Sequence, residues 1–338
     1  MKIKFLLVLA AFATTLGCAS KKNGAVSIAV FIPGQMAGST IYAQLGAGAE
    51  RAVAEWNNGH KGGTPAHIVI VEAGYNQAEW ESKLTILAAG GQYNLIVSSN
   101  PSMPYFVSAI SEKFPAQQFL LLDAELAGNP NVYTLRYNQH EQAYMAGYLA
   151  GLLSEGAPRI GLIAAQEYPV MDNVIKPGYL EGANAAAAEF GFAPFVLDYR
   201  IVGNWFDAQK AAELGASMVA SGIKAILPIS GSANEGAVQA AAEGGAKILW
   251  FDSNGYAIRP GVIAGSCALL QEQAVYDKLM LYFEGNLPFG TADVAGLRDG
   301  YLRFVDDDPL YIQTVPQAIR DKQASLTSKI KSGALTLD

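Results

Sequence analysis

Six short segments of the sequence are rich in hydroxyl, amide, carboxylate and aromatic side chains, and each directly follows an apolar run. They lie at positions 33–39, 98–102, 123–125, 166–168, 230–234 and 252–256. Because they are nearly free of basic residues, they do not suit a phosphate, which favours lysine, arginine or a cradling glycine loop. They do suit a neutral ligand that is polyhydroxylated or heteroaromatic. Any one segment alone is also typical of a turn, but six at corresponding positions indicate a binding site.

The motifs that would indicate catalysis are incomplete. The stretch that begins at Gly231 has the outer glycine spacing of a P-loop but lacks the lysine that must follow it. His140 and Glu141 would begin a zinc-protease motif, yet Tyr144 stands where the second histidine belongs. The acidic run 306–308 is typical of a solvated turn. We therefore expect neither an enzyme nor a metal or cofactor site.

Short, β-rich apolar runs alternate with longer helical patterns after the first 24 residues. Since the runs are continuous rather than alternating in polarity, each strand should be buried on both faces. The pattern predicts an α/β fold of two doubly wound parallel-sheet lobes joined by a hinge. In such sheets ligands bind beyond the carboxyl ends of the strands, where the polar segments lie. The two series of five predicted strands are 26–32, 67–71, 95–98, 119–122 and 132–135, then 160–164, 195–197, 225–229, 247–251 and 262–264.

The first eighteen residues have the layout of a bacterial lipoprotein leader. Lys2 and Lys4 precede an apolar stretch, and Cys18 follows a small residue. The stretch is too short and wrongly flanked for a transmembrane helix. We expect residues 1–17 to be a signal peptide and Cys18 to carry a lipid that tethers an extracytoplasmic body to the membrane by its acyl chains alone. The alternative is an ordinary secreted protein with a stray cysteine.

The same patterns divide the rest of the chain. The predicted parts are a lipid-anchored tether at 18–24, an N-terminal lobe at 25–136 plus about 259–290, and a C-terminal lobe at 137–258 plus about 291–338.

The net charge of −7 makes the chain a poor partner for nucleic acid. If Cys18 is acylated, Cys267 has no disulfide partner, and its apolar setting is typical of a small buried residue.

Several longer stretches carry a resemblance to a known family. They are 114–123 (FPAQQFLLLD), 138–147 (NQHEQAYMAG), 178–183 (GYLEGA), 204–210 (NWFDAQK) and the C-terminal helical stretch 315–333. With these the chain resembles the basic membrane protein family, the type I periplasmic-binding-protein lipoproteins that deliver ligands to ABC transporters. The resemblance covers nearly the whole mature chain. It implies the type I periplasmic binding protein fold, with an ABC permease and its ATPase as partners.

Family members that bind purine nucleosides hold the base between two aromatic rings, and the resemblance carries three of their residues over. Asp123 matches the aspartate that reads the base. Trp205 matches one of the stacking aromatics, where the family usually has phenylalanine. Asp252 matches the aspartate that, with a lysine, grips the ribose. The resemblance thus implies a ligand held between the lobes and enclosed by hinge closure.

Three departures from the family pattern concern this same site. The acidic first loop of the family is replaced by the uncharged stretch 34–40, and the Phe-Asn pair that follows it by Ile41 and Tyr42. No lysine occurs within 248–277, so the ribose lysine has no counterpart, and Leu269 or Gln271 lies near its place. A neutral polar slot in place of the lysine suits an open-chain polyol.

These departures favour riboflavin, and a purine nucleoside is the alternative ligand. A tryptophan with a tyrosine beside it offers a platform wide enough for a tricyclic ring. The chain therefore resembles the spirochaetal riboflavin-binding lipoproteins of the family more than its nucleoside binders. We expect a monomer whose ligand contacts come from Gln35, Tyr42, Asn100, Asp123, Tyr168, Trp205, Ser230 and Asp252.

Three other functions are weighed against this hypothesis. A sugar-responsive repressor shares the expected fold, but it would need a helix-turn-helix where the leader lies. An envelope hydrolase would need a nucleophile and a base, and no such set is visible. Binding of host molecules by a surface lipoprotein stays open as an added role.

Overall fold

Two six-stranded sheets form the framework of the protein. The structure, a computed structural model, describes residues 24–59, 64–154 and 157–337, so the predicted signal peptide and Cys18 lie outside the described residues. The strands are β1 (Val26–Ile32), β2 (Ala66–Glu72), β3 (Leu95–Ser99), β4 (Gln118–Leu122), β5 (Val132–Tyr137), β6 (Arg159–Ala164), β7 (Val196–Ile201), β8 (Ala225–Ile229), β9 (Lys247–Asp252), β10 (Ile263–Leu269), β11 (Ala292–Ala295) and β12 (Leu302–Phe304).

The two sheets have matching strand orders. The first runs β11-β5-β4-β3-β1-β2, and the second runs β12-β10-β9-β8-β6-β7. Neighbouring strands are parallel except for β10 and β12, which pair antiparallel. We call the elements around the first sheet lobe 1 and those around the second sheet lobe 2. The prediction of two parallel α/β lobes is confirmed, although each sheet has six strands rather than five.

Helices connect the strands and cover the sheets. They are α1 (Thr40–Gly59), α2 (Trp80–Ala89), α3 (Met103–Lys113), α4 (Gln139–Leu153), α5 (Lys176–Phe190), α6 (Ala208–Ala220), α7 (Asn234–Gly244), α8 (Gln271–Phe283), α9 (Pro309–Thr314) and α10 (Gln317–Ser332). Strand β1 shows the covering on both faces, because Ile28 and Val30 join one hydrophobic core while Ala29 and Phe31 join another. Within the described ranges, no helix combines the length and apolar character that a bilayer crossing requires.

Helix α4 is buried along most of its length and packs closely on α5. A Cβ atom at Gly147 would lie 1.9 Å from the carbonyl oxygen of Tyr179, and one at Gly182 would lie 2.0 Å from that of Tyr144. The two helices therefore meet backbone to backbone, which only glycine permits. This contact fixes α4 rigidly within lobe 2, and α4 begins where the chain first passes from lobe 1 to lobe 2.

The chain passes between the lobes three times. The first crossing joins β5 to α4, the second joins β10 to α8, and the third joins β11 to β12. Helix α8 belongs to lobe 1 because it packs on α1, where a Cβ at Gly48 would lie 2.2 Å from the backbone oxygen of Glu272. All three connections lie at the same edge of the two sheets, so this edge is the hinge.

The two later crossings lie further along the chain than predicted. Strand β10 pairs with β9, so residues 263–269 belong to lobe 2, whereas the sequence reading assigned 259–290 to lobe 1. Strand β11 pairs with β5, so residues 292–295 belong to lobe 1 rather than lobe 2. The predicted strand ended at 264 because Gly265 and Ser266 are small and polar. It continues because the Ser266 amide donates to the hydroxyl of Tyr256 at 3.0 Å, and its own hydroxyl accepts from Gly255 at 3.1 Å.

Candidate ligand-binding site

Two aspartates stand at equivalent places in the two lobes. Asp123 directly follows β4 and Asp252 ends β9, and these strands hold the same position in the two sheet orders. Both have left-handed backbones, with φ of 49° and 67°, and no other non-glycine residue in the described part of the chain does. Such conformations are uncommon for residues with a Cβ and concentrate at functional sites. The left-handed backbone conformations therefore direct both aspartate side chains into the space beyond the C-terminal ends of their strands.

Asp252 affects Asp123 electrostatically. Burial, and secondarily the charge of Asp252, raises the pKa of Asp123 to about 7, although Arg136 opposes the shift. Burial also raises the pKa of Asp252, while a hydrogen bond from Gln142 lowers it. Since the residues belong to different lobes, their carboxyl groups lie within electrostatic range across the interlobe cleft. A ligand that donates hydrogen bonds to both would relieve this repulsion.

Tyr42 contributes an aromatic ring from lobe 1. It lies in the first turn of α1, and its hydroxyl accepts a hydrogen bond from Asn100 Nδ2 at 3.1 Å. The Asn100 side-chain oxygen in turn accepts from the Ser102 amide at 2.8 Å, so both ends of that amide group are fixed. Burial raises the pKa of Tyr42 to about 12, and the charge of Asp123 adds to the increase. Tyr42, Asn100 and Asp123 thus form one cluster.

Tyr168 and Trp205 contribute aromatic rings from lobe 2. Their ring centroids are 6.1 Å apart, with an angle of 45° between the planes. Burial raises the pKa of Tyr168, as do the charges of Asp252 and Asp123, which places this ring beside both aspartates. Trp205 is 38% exposed and so presents a free face. Its backbone is held by Gly231, where a Cβ would lie 2.8 Å from the Trp205 carbonyl oxygen.

Two of the predicted contact residues are placed differently. Ser230 is fully buried, and its hydroxyl and amide both donate to Asn234 Oδ1, at 2.8 and 2.7 Å. It therefore stabilises the turn before α7 and does not line the cleft. The apolar strand β8 that precedes it is buried, and the chain is still buried at Ser230. Gln35 is exposed in the loop after β1. No hydrogen bond joins its side chain to another site residue in the part of the chain that the structure describes.

Two buried glutamines support the site and were not predicted as contacts. Gln142 in α4 donates to Asp252 Oδ1 at 3.0 Å and to the Cys267 carbonyl at 2.8 Å, and its own Oε1 has no partner. Gln271 begins α8, and its Oε1 accepts from Ser99 at 2.9 Å while its Nε2 donates to the Ile41 carbonyl at 3.0 Å. The stretch around Gln142 was noticed only as part of a family resemblance. A single glutamine within a predicted helix does not by itself indicate a role in a binding site.

Charge and chemistry in the cleft are those of a binding site. The cation that acts on Asp123 is Arg136, and its guanidinium lies 2.8 Å from Glu125. Across the described ranges, no three histidine, cysteine, aspartate or glutamate side chains are grouped so as to hold a metal ion. Of the acidic run at 306–308, Asp307 pairs with Arg303 and Asp308 caps α9, as expected of a turn. Aromatic rings with hydrogen-bond acceptors between them suit a flat, donor-bearing neutral molecule.

Comparison with known proteins identifies the family. A family model described as "ABC transporter substrate-binding protein PnrA-like" matches residues 25–336. A CD4+ T-cell-stimulating antigen of Listeria monocytogenes is 22% identical over 169 residues, which are 48% of this chain and 45% of the antigen. The ABC transporter nucleoside-binding protein BmpA of Lactococcus lactis is 25% identical over 162 residues, 48% of this chain and 41% of that protein. The chain spans about half the length of the curated relatives it matches.

Solved structures agree on the fold. An ABC transporter solute-binding protein from Aeropyrum pernix K1 superposes with a TM-score of 0.75 at 20% identity, covering 93% of both chains. A solute-binding protein from Conexibacter woesei gives a TM-score of 0.66 at 19% identity, covering 93% of this chain and 99% of the other. The expected family resemblance and type I periplasmic binding protein fold are confirmed. From the match over 25–336 and the two-lobed architecture, the chain belongs to the PnrA-like, or Bmp, family of ABC transporter substrate-binding proteins.

Proposed function

We propose that the protein is the substrate-binding component of an ABC importer and that it captures riboflavin between its lobes. One observation supports this above the others. Tyr42 of lobe 1 lies near Asp123, and Tyr168 of lobe 2, which packs on Trp205, lies near both Asp123 and Asp252. The family is one of binding proteins that release their ligand unchanged, so the chain is not an enzyme.

The proposed binding mode assigns the flavin ring to the aromatic side chains. Tyr42 and Trp205 come from opposite lobes, so closure of the hinge would bring them onto the two faces of the ring. Each such pair contributes about 0.5–1.5 kcal/mol beyond the area it buries. The imide N–H of the flavin would donate to Asp123, whose carboxylate is half ionised near pH 7. This hydrogen bond would offset the unfavourable effect of Asp252 on the Asp123 carboxylate.

The ribityl tail is assigned to the neutral polar groups of the cleft. Asp252, which is held by Gln142, would accept from tail hydroxyls, and Asn100 of lobe 1 offers a further polar group. Gln271, near the place of the family's ribose lysine, is fully buried and hydrogen-bonded on both ends of its amide. No lysine or arginine is among the candidate contact residues that the structure describes, and this favours a polyol over an anion, since buried hydroxyls need partners but no counter-charge.

A purine nucleoside is the second candidate. The observation that favours it is the relative from Lactococcus lactis, which is named a nucleoside-binding protein. A purine would use the same rings and the same Asp123, and its ribose would contact Asp252. The missing lysine counts against it, because one of the two groups that grip the ribose is then absent.

The proposed cellular setting follows from the family and the leader. We propose that the protein acts outside the cytoplasmic membrane as a monomer, held there by acyl chains on Cys18 alone. Its partners would be an ABC permease and the ATPase that drives it. Mass spectrometry of the mature N-terminus tests the anchor: a diacylated Cys18 is expected, and a mature chain without acyl groups would refute it.

Two titrations on the same preparation separate the candidate ligands. Riboflavin emission should be quenched on addition of the protein and saturate at one ligand per chain, and protein purified without refolding should be yellow. Calorimetry with adenosine, guanosine and inosine provides the comparison. Tight nucleoside binding with unchanged flavin emission would overturn riboflavin in favour of the second candidate. Absence of binding in both titrations would overturn the ligand class itself.

A further inference from the structure

A second pocket lies at the hinge, away from the cleft residues. Its volume is about 470 Å³, which falls within the range of small-molecule sites. Leu270 on the second crossing and Leu297 on the third both line it, and strand β12 and helix α10 supply the rest of its wall. None of the aromatic or aspartate residues of the cleft takes part. The pocket is therefore bounded by two of the three connections that must move when the lobes close.

The pocket has an apolar floor. Leu297, Leu302 and Phe304 line it and are each no more than 4% exposed. The side of α10 that faces it contributes Thr327, whose hydroxyl donates to the Gln323 carbonyl and so offers the pocket only an acceptor. An apolar group of a ligand that enters the pocket would contact these side chains.

The rim of the pocket carries charges of both signs. Asp306 and Lys331 are exposed lining residues, and neither takes part in an ion pair among the residues that the structure describes. Arg303 also lines the pocket, but its guanidinium is already paired with Asp307 at 2.6 Å. The unpaired charged groups that line the pocket are thus the Asp306 carboxylate and the Lys331 ammonium. They are complementary to a molecule that itself bears an ammonium and a carboxylate.

We propose that this hinge pocket is a second ligand site, which takes an apolar α-amino acid. The carboxylate of the amino acid pairs with Lys331, its ammonium pairs with Asp306, and its side chain lies on the Leu297, Leu302 and Phe304 floor. The crossings at Leu270 and Leu297 form part of the pocket wall. A ligand bound there therefore stabilises one relative orientation of the two lobes over another. Binding at the two sites is then coupled and reciprocal. The coupling rests on the proposed function of the cleft, but the site itself does not.

Three related probes test the site on the full chain in the absence of any cleft ligand. They are L-leucine, L-leucinamide, which lacks the carboxylate, and N-acetyl-L-leucine, which lacks the ammonium. Calorimetry or ligand-observed NMR should show L-leucine binding more tightly than either analogue. Lys331→Gln should weaken L-leucine by at least about tenfold and leave L-leucinamide unchanged, while Asp306→Asn should weaken L-leucine and leave N-acetyl-L-leucine unchanged. Both residues are exposed, so the variants should fold.

The results that overturn the proposal differ from those that overturn the cleft function. No L-leucine binding at 10 mM, on the order of the weakest specific affinities, would refute the site. Equal binding of all three probes, or binding that neither substitution changes, would also refute it. If L-leucine binds as expected but leaves the affinity of the cleft ligand unchanged, the site stands and its coupling to the hinge is wrong. Loss of riboflavin binding alone bears only on the cleft.

Discussion

Replacing Asp123 by asparagine should stabilise the unliganded protein while it weakens ligand binding. The pKa of Asp123 rises from its ordinary value of 3.8 to about 7, because burial and the charge of Asp252 disfavour the carboxylate. The folded protein therefore binds this proton more tightly than the unfolded chain does, so stability falls as the pH rises from 3.8 to 7. Above pH 7 the full cost is about 4 kcal/mol. Asparagine tolerates the left-handed backbone at φ 49° and carries no charge.

Thermal unfolding of the unliganded protein between pH 3.5 and pH 8 measures this effect. At pH 8 the Asp123→Asn variant should be more stable than the parent by about 2–4 kcal/mol, since the amide loses some of the hydrogen bonding of the acid. The difference should shrink to near zero by pH 3.5, where the carboxyl group is protonated in both states. Glu112→Gln, at an exposed site near the end of α3, is the matched control and should show no such trend. Equal stability of variant and parent at pH 8 would refute the raised pKa of Asp123 and the burial of its carboxylate near Asp252.

Three further predictions concern the cleft and the core. Trp205→Ala should weaken ligand binding at least tenfold in a calorimetric titration, whereas alanine at the neighbouring, 74% exposed Phe206 should not; equal effects would refute the stacking role. If the ligand donates to ionised Asp123, affinity should fall about tenfold from pH 8 to pH 6, and Asp123→Asn should abolish that slope in a fluorescence titration. Gly147→Ala should lower the free energy of unfolding by more than 2 kcal/mol, measured in urea, because its Cβ would overlap the Tyr179 carbonyl. A neutral result would show that α4 and α5 can separate.

The sequence predicted most of the central strands because each is a continuous apolar run. Strands β1 and β8 have the predicted bounds, and α10 falls where the family resemblance indicated a helix. The edge strands β11 and β12 were missed, since three or four residues with mixed polarity form no recognisable run. They are strands only because β5 and β10 offer them a free edge, which is a property of the tertiary fold.

The positions of the candidate site residues were predictable where side chains follow strand ends, and less so elsewhere. Asp123 and Asp252 lie as expected, because the ends of parallel strands meet at one edge of each sheet. Gln142 was missed because it reaches Asp252 from a helix 110 positions earlier in the chain. Ser230 was expected to line the cleft, but whether a residue at a strand end is exposed or buried depends on the turn that follows. Sequence alone does not specify that turn.

The three crossings also set the order in which the protein can be completed. Lobe 1 lacks its edge strand β11 and the helix α8 that covers α1 until residue 295 has been made, long after lobe 2 has begun. During synthesis the first two fifths of the chain therefore expose the open edge of β5 and an uncovered helix face. This delay leaves an unpaired strand edge available for aggregation while the rest of the chain is synthesised.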